Sequence, residues 1–299
     1  MDNTQKGVLY TALAYLLWGI LPSYWRAVSS FNDYEILFHR IIWSFFFMII
    51  VLAVTKKLSP LVKETKSLFK RKREFIALII ASVVITFNWG IFIWAVNNNH
   101  VLQASLGYYI NPLMSIALGF IFLKERFTRT ETLAILLAAI GVFYMTFSVG
   151  TFPIVSVTLA LSFALYGLMK KVVNINALYS ITLETFFILP IAFLGIAILT
   201  ADQKTYFGNN FESFLILFSG IVTAIPLILF SAGAKRIPLS LVGLLQYISP
   251  TLILLQGVFM FGEPFTLTHA ITFGCIWSGL MIYSLSKWMQ YKKSRKIKL

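Results

Sequence analysis

The segment Tyr109-Ile110-Asn111-Pro112 returns 138 residues later as Tyr247-Ile248-Ser249-Pro250. Six further residues match at the same offset without a gap: Gly119 with Gly257, Glu125 with Glu263, Phe127 with Phe265, Thr128 with Thr266, Thr130 with Thr268 and Gly141 with Gly279. Nearer the start of each copy the match is weaker, Leu17-Trp18-Gly19 against Leu165-Tyr166-Gly167, and its offset is 148. A self-match of this length indicates a duplicated architecture. We therefore predict two repeats, over residues 1–150 and 151–299.

The sequence around both copies is too apolar for a water-soluble fold. Hydrophobic residues make up 59% of the 299, charged residues 12%, and the mean hydropathy is +0.82, whereas a soluble domain carries roughly 25% charged residues. Ten apolar blocks approach the length of about 20 residues that a membrane helix needs, at about 8–28, 35–55, 75–96, 101–123, 131–148, 152–171, 177–199, 213–233, 240–261 and 268–289. Because five spans per repeat is an odd number, the second repeat must enter the membrane the opposite way up. The predicted fold class is an all-α integral membrane protein of ten transmembrane helices, arranged as two inverted five-helix repeats.

The basic residues predict which side of the membrane each loop faces. With the N-terminus inside, 22 of the 25 Lys and Arg residues fall on the cytoplasmic side, against Arg26 and Lys204 outside and Arg40 within a span. This distribution is a strong positive-inside asymmetry. Both termini, the basic loop 56–74 and the basic C-terminal tail are therefore predicted to be cytoplasmic.

The loop 56–74 has apolar residues at helical spacing after Ser59-Pro60, a suitable N-cap and first helical position. These residues are Leu58, Leu61, Val62, Thr65, Leu68 and Phe69. We predict an amphipathic helix on the anionic inner leaflet, with Leu58, Leu61, Leu68 and Phe69 toward lipid. Basic runs also bind nucleic acid, but the apolar stripe favours a membrane surface, so no nucleic-acid partner is expected.

Ionisable residues inside the apolar blocks are candidates for a substrate pathway, because a charge at the bilayer centre costs about 2.5–3.5 kcal/mol even on a lenient scale. Glu184 lies about 10 Å into its span from the inner side. Arg40 follows His39 and lies about 8 Å past Glu35, which is near the outer side. The alternatives are that Glu184 is tied to Lys170 or Lys171 and that Arg40 reaches water by snorkelling.

A weaker alignment, of Tyr34 with Tyr179 and Ile36 with Ile181, places His39 opposite Glu184 in the repeat. Each half then contributes one protonatable group from opposite sides of the membrane. Such an arrangement suits proton-coupled alternating access.

Prolines and amides inside the spans complete the candidate set. Pro112 and Pro250 are repeat partners that free a backbone carbonyl and bend a helix. Alternatively, the prolines only bend packed helices, and the amide side chains only form hydrogen bonds to a neighbouring helix. The substrate-pathway or coupling candidates are His39, Arg40, Asn88, Trp89, Tyr109, Asn111, Glu184, Gln246 and Tyr247, and the helix-kink candidates are Pro112 and Pro250.

Sequence signatures of catalysis are absent. The chain has no G-x-x-x-x-G-K-[ST] phosphate loop, no G-x-S-x-G elbow and no H-E-x-x-H pair. Its three histidines are scattered singly and its one cysteine, Cys275, lies within an apolar block. We expect neither an enzyme, nor a cofactor, nor a metal site.

Several stretches resemble the RarD proteins of the EamA branch of the drug/metabolite transporter superfamily, and the likeness covers essentially the whole chain. They are residues 15–22 (YLLWGILP), 35–44 (EILFHRIIWS), 88–89 (NW), 94–98 (WAVNN), 104–112 (ASLGYYINP), 125–127 (ERF) and 246–251 (QYISPT). The resemblance implies a permease of the bacterial cytoplasmic membrane, with helices one to four and six to nine around a central cavity and helices five and ten peripheral. It does not identify the substrate.

These features predict a secondary transporter, a proton-coupled exporter of small amphipathic metabolites or drugs. An uncoupled facilitator of diffusion and a membrane interaction subunit that transports nothing are the alternatives. The expected partners are a small-molecule substrate and a bilayer with an anionic inner leaflet, and the oligomeric state is left open between monomer and homodimer.

Overall fold

A computed structural model describes residues 2–97, 101–148, 154–261 and 265–296, and these form helices and connecting loops with no β-strand among them. Long apolar runs favour helices because a helix satisfies its own backbone hydrogen bonds without water. The helices are α1 (Asn3–Ala27), α2 (Asp33–Val54), α3 (Leu58–Lys70), α4 (Lys72–Asn97), α5 (Val101–Phe122), α6 (Arg129–Ser148), α7 (Ile154–Val172), α8 (Ala177–Ala201), α9 (Phe211–Leu217), α10 (Ser219–Ala234), α11 (Leu239–Gln246), α12 (Ile248–Phe261) and α13 (Leu267–Lys296).

Eight stretches of the described residues are long and apolar enough to cross a membrane. They are α1, α2, the first part of α4, α6, α7, α8, α9 with α10, and α11 with α12. In addition, α5 contains the shorter apolar segment Leu106–Phe122. The chain is therefore an all-helical, multi-pass membrane protein.

Two of the predicted spans are interrupted helices. The block 213–233 is divided at Phe218, between α9 and α10, and the block 240–261 is divided at Tyr247, between α11 and α12. Pro250 lies just after the second break. Proline has no backbone N–H, so the Gln246 carbonyl loses the donor that it would have in a continuous helix. Its repeat partner Pro112 instead lies within the continuous helix α5. The two prolines therefore have different local effects.

The helices contact one another in a regular pattern. The main pairs are α6 with α13, α5 with α7, α4 with α7, α2 with α8, α1 with α10, α5 with α11, α2 with α10 and α1 with α12. Glycines bring α6 and α13 close together: a Cβ at Gly141 would lie 2.7 Å from the Thr272 carbonyl oxygen, and one at Gly279 would lie 2.5 Å from the Ala134 carbonyl oxygen. Only glycine permits this approach of backbone to backbone.

Several basic loops meet at one end of the molecule, which we call the basic end (residues 56–74, 124–129, 170–176 and 235–238). Charged side chains there bond to the main chain of neighbouring loops: Glu125 accepts from the amides of Leu239 and Ser240, Lys171 donates to the Ile237 carbonyl, and Lys235 donates to the Ile175 carbonyl. Burial is the main cause that lowers the pKa of Lys235 to about 8, followed by repulsion from Lys170. These bonds join neighbouring loops at the basic end to one another.

The amphipathic helix predicted in the basic loop is α3, but two details of the prediction were wrong. The helix begins at Leu58, so Ser59 is not its N-cap. Leu61 and Leu68, expected toward lipid, are buried against residues such as Leu52, Leu78 and Val173. Leu58 and Phe69 are exposed, as expected for lipid-facing residues. One part of the apolar stripe of α3 therefore packs against the protein, and the other part is left exposed.

The orientation predicted from the basic residues can be tested by cysteine labelling of sealed cells. In a Cys275→Ser background, Lys66→Cys on α3 should react with an impermeant thiol reagent only after permeabilisation. Asn209→Cys in the loop between α8 and α9 is the matched control, and it should react from outside. Both positions are exposed. Reaction of Lys66→Cys in sealed cells would contradict the orientation.

Candidate functional site

A cavity of about 490 Å³ lies among helices α1, α2, α4, α5, α7 and α10–α12. Its lining reaches Trp25 and Asp33, which flank the loop between α1 and α2, and runs inward as far as Tyr15 on α1. None of its lining residues belongs to the basic end. The cavity therefore occupies the half of the molecule away from that end. Neither α6 nor α13 contributes a lining residue, in keeping with their predicted peripheral position, and α8 contributes none either.

Arg40 brings a positive charge to the cavity wall. Its guanidinium carbon lies 4.8 Å from the ring centre of Trp25 and 4.3 Å from that of Trp89. Its Nε–H donates to Thr223 Oγ1 at 3.3 Å. Stacking of a guanidinium on indole rings is a favourable cation–π arrangement. The side chain is thus held on the cavity surface by two tryptophans and one hydroxyl.

Amide side chains form the polar part of the same wall. The Asn88 amide donates to the Leu159 carbonyl at 2.9 Å and to Ser162 Oγ at 2.8 Å, so α4 is bonded to α7. Gln246 Oε1 accepts from the Tyr15 hydroxyl at 3.4 Å, which joins α11 to α1. These bonds fix the helices around the cavity and leave polar atoms at its surface.

Glu184 lies outside the cavity lining, in a buried cluster between α7 and α8. Its carboxylate accepts from the Lys170 ammonium, from Ser180 Oγ at 2.7 Å and from the Tyr166 hydroxyl at 3.0 Å. Lys170 is 0% exposed and Glu184 5%. Each charge therefore compensates the other in an interior where either alone would be costly.

An aromatic layer separates this ion pair from the cavity. The Tyr166 ring stacks on Phe230 with ring centres 5.7 Å apart. Phe163 contacts both of these rings, and Trp18 contacts Phe163 and Phe230. Trp18 and Phe163 also line the cavity. The layer is the cavity floor, with the ion pair beneath it.

His39 points away from the cavity, although it precedes Arg40 in the chain. Its ring stacks on Phe207 at 4.8 Å, and its Nδ1 accepts from the Trp43 indole N–H at 3.2 Å. The buried Glu35 carboxylate beside it accepts from the amides of Tyr206 and Phe207. Together they anchor the loop between α8 and α9 to α2.

The structure therefore divides the sequence candidates into two groups. Those that line the cavity are Arg40, Asn88, Trp89, Tyr109, Asn111, Gln246 and Pro250, and those that do not are His39, Glu184, Tyr247 and Pro112. The Tyr247 hydroxyl is buried without a hydrogen-bond partner among the described residues. Several lining residues were not predicted, among them Trp18, Trp25, Tyr108, Phe163 and Thr223. In an apolar span, the sequence alone does not show whether such a residue lines a cavity or faces lipid.

Comparison with known proteins gives a consistent result. The sequence profile of the EamA-like transporter family matches residues 5–147 and 152–285. The chain is 45% identical over 295 residues to the uncharacterized transporter YojE of Bacillus subtilis (strain 168), with 98% of each chain covered. It is 41% identical over 283 residues to the protein RarD of Escherichia coli (strain K12), with 94% of each covered. A crystal structure that is 16% identical superposes with a TM-score of 0.74, over 95% of this chain and 99% of the other, and so has a similar fold.

The ion pair predicts an unequal response to single and double substitutions. Lys170→Met leaves the Glu184 carboxylate buried without its cation, and we expect it to lower the free energy of unfolding by about 3–5 kcal/mol. The double variant Lys170→Met/Glu184→Leu removes both charges and should recover most of that loss. Unfolding of the purified protein by SDS titration measures both. Equal stability of Lys170→Met and the unsubstituted protein would contradict the pairing.

Proposed function

Because the chain belongs to the EamA-like transporter family, we propose that it is a secondary active exporter of small amphipathic metabolites or drugs. The relatives establish it as a RarD-like permease, a membrane transporter and not an enzyme. Export and proton coupling are the parts that we propose. The observation that carries the proposal is a central cavity with polar groups on its wall, whose lining includes no residue of the basic end.

We propose ten spans in two inverted repeats, residues 1–150 and 151–299. We count α9–α10 and α11–α12 as one span each, so α1 corresponds to α7, α4 to α10 and α5 to α12. The contact of α5 with α7 then corresponds to that of α1 with α12, and the contact of α4 with α7 corresponds to that of α1 with α10. The close approaches of Gly141 to Thr272 and of Gly279 to Ala134 correspond in the same way, since each pair of partners differs by 138 in number. The separate profile matches at 5–147 and 152–285 also support a duplication.

We place the basic end and both termini in the cytoplasm, following the positive-inside asymmetry. The cavity then faces outward, and α3 lies at the anionic inner leaflet. Alternating access requires the opposite state as well, in which the basic end opens and the outer half closes. The bonds of Glu125, Lys171 and Lys235 to neighbouring loops are the contacts that would have to break.

For coupling we propose Glu184, with His39 as the next candidate. Glu184 joins α7 to α8 beneath the cavity floor, where protonation would remove the negative charge that compensates Lys170. Loss of this pair would loosen the closed half, so proton binding and a change of conformation are linked. His39 and Glu35 hold the outer loop of the other half in a comparable way.

The rival interpretations make different predictions. An uncoupled facilitator would give the same flux with and without a proton gradient. An accessory subunit is disfavoured by a cavity whose wall presents Arg40, Asn88 and Gln246, because a purely architectural centre would be closed and apolar.

Untargeted comparison of the growth medium of cells with and without the gene tests the proposal. We expect at least one small amphipathic compound to appear in the medium only when the gene is present, and to stop appearing when a protonophore collapses the gradient. Gene-dependent export that persists after collapse would contradict coupling, and unchanged media would contradict export.

Glu184→Gln keeps the shape of the side chain and removes its titration. In reconstituted vesicles we expect this variant to lose gradient-driven accumulation of the exported compound, while exchange of that compound across the membrane persists. The matched control is Glu131→Gln, because Glu131 is also buried and the amide oxygen can still accept from the Thr128 amide. Gradient-driven transport by Glu184→Gln equal to that of the unsubstituted protein would show that the proton site lies elsewhere.

A further inference from the structure

Arg40 presents unused hydrogen-bond donors to the cavity. A guanidinium has five N–H donors, and only the Nε–H of Arg40 is donated, to Thr223. Neither Nη group donates to a residue that the structure describes, and none of the ion pairs found there includes Arg40. Two tryptophan rings hold the group in place. The result is a cation held at the cavity wall, whose outer edge has no partner among the residues that the structure describes.

Lys170, the second cation within the spans, is compensated in the ordinary way, by an acidic partner. Lys170 is fully buried and bonds to Glu184 and Ser180. An uncompensated charge at this depth is unfavourable, so a cation kept without an acidic partner needs compensation from elsewhere. Arg40 lines the cavity, and a ligand there is positioned to supply it.

The arrangement of the Arg40 Nη groups favours a carboxylate as the ligand group. The two Nη groups of a guanidinium form a planar fork that matches the two oxygens of a carboxylate, and such bidentate pairs are among the stronger hydrogen-bonded contacts. The rings of Trp25 and Trp89 hold this fork at the cavity wall. A carboxylate lying in the plane of the fork receives both donors.

The rest of the cavity limits the ligand to a small monoanion. A volume of about 490 Å³ is within the range of small-molecule pockets, and aromatic rings such as Trp18, Phe92 and Phe163 form its walls. Among the described lining residues Asp33 is the one other charged group, and it lies about 10 Å from Arg40 along α2. The remaining polar groups of the lining, such as Asn88 and Gln246, are neutral. A second negative charge on the ligand would therefore find no second cation among them, and Asp33 would repel it.

We propose that Arg40 binds the carboxylate of a small organic monoanion, whose apolar or aromatic body lies against Trp18 and Phe163. This inference rests on the proposed transport function, since it names the class of compound carried. It also gives the substrate an orientation, with its charged group toward α2 and its apolar body toward the cavity floor.

The test compares acids with their own neutral amides. Full-length protein in nanodiscs of uncharged lipid is titrated with phenylacetate and indole-3-acetate, and with phenylacetamide and indole-3-acetamide, by calorimetry. We expect the acids to bind more tightly than the amides. Arg40→Gln should weaken acid binding by about 10- to 100-fold and leave amide binding unchanged. Arg40→Lys should give an intermediate loss, because it keeps the charge without the fork.

Arg126→Gln is the matched control. Arg126 also lies over an aromatic ring, that of Phe120 at 5.7 Å, but it is exposed at the basic end and outside the cavity. Its substitution should leave acid binding unchanged. An equal loss of acid binding in Arg126→Gln and Arg40→Gln would overturn the proposal, because the effect would then follow net charge and not the site.

Two further outcomes would overturn it: no binding of either acid, or equal binding of acid and amide by the unsubstituted protein. These comparisons need no variant, so a folding defect of Arg40→Gln cannot obscure them. Binding is measured without a gradient. A chain that prefers acids but moves no compound across vesicles contradicts the transport proposal alone, whereas transport without acid preference contradicts the Arg40 site alone.

Discussion

The ion pair between Lys170 on α7 and Glu184 on α8 lies beneath the aromatic floor of the cavity. Neither charge is stable alone in an apolar interior, so their bond links the two helices at that point. The Tyr166 hydroxyl also bonds to Glu184, which fixes the ring that stacks on Phe230. That ring in turn supports the aromatic layer on which the cavity rests. A continuous set of contacts thus connects the ion pair to the cavity floor.

The two positive charges within the spans have opposite surroundings. Lys170 is enclosed by hydrogen-bond acceptors, whereas Arg40 is enclosed by ring faces that attract a cation without neutralising it. A cation–π contact is weaker than a full ion pair and leaves the donors at the edge of the guanidinium available. The fold therefore stabilises Arg40 enough to keep it at membrane depth and still leaves it able to bind.

The helical fold and most of its spans follow from the length of the apolar blocks, but the direction of a side chain around its helix does not. The depth of Arg40, Asn88 and Gln246 in their spans identified them as candidates, and all three line the cavity. His39 has nearly the same depth as Arg40, yet a rotation of about 100° per residue turns it toward the loop between α8 and α9. For Glu184 the structure agrees with the alternative given above, a bond to Lys170, which keeps the carboxylate out of the cavity lining. The helix is broken at Tyr247 and continuous at the equivalent Tyr109, although a proline follows both at the same spacing, so the local sequence does not distinguish the two.

The bonds that hold the loops together join a charged side chain to main-chain atoms. Glu125 accepts from the amides of Leu239 and Ser240, Lys171 and Lys235 donate to carbonyls, and Glu35 accepts from the amides of Tyr206 and Phe207. A main-chain carbonyl is present in every residue, and a main-chain N–H in every residue except proline. Such a bond therefore constrains the residue type at the charged position only, and packing alone constrains it at the partner position. Correlated substitutions across homologues should consequently miss these contacts, even though they connect elements that are distant in sequence.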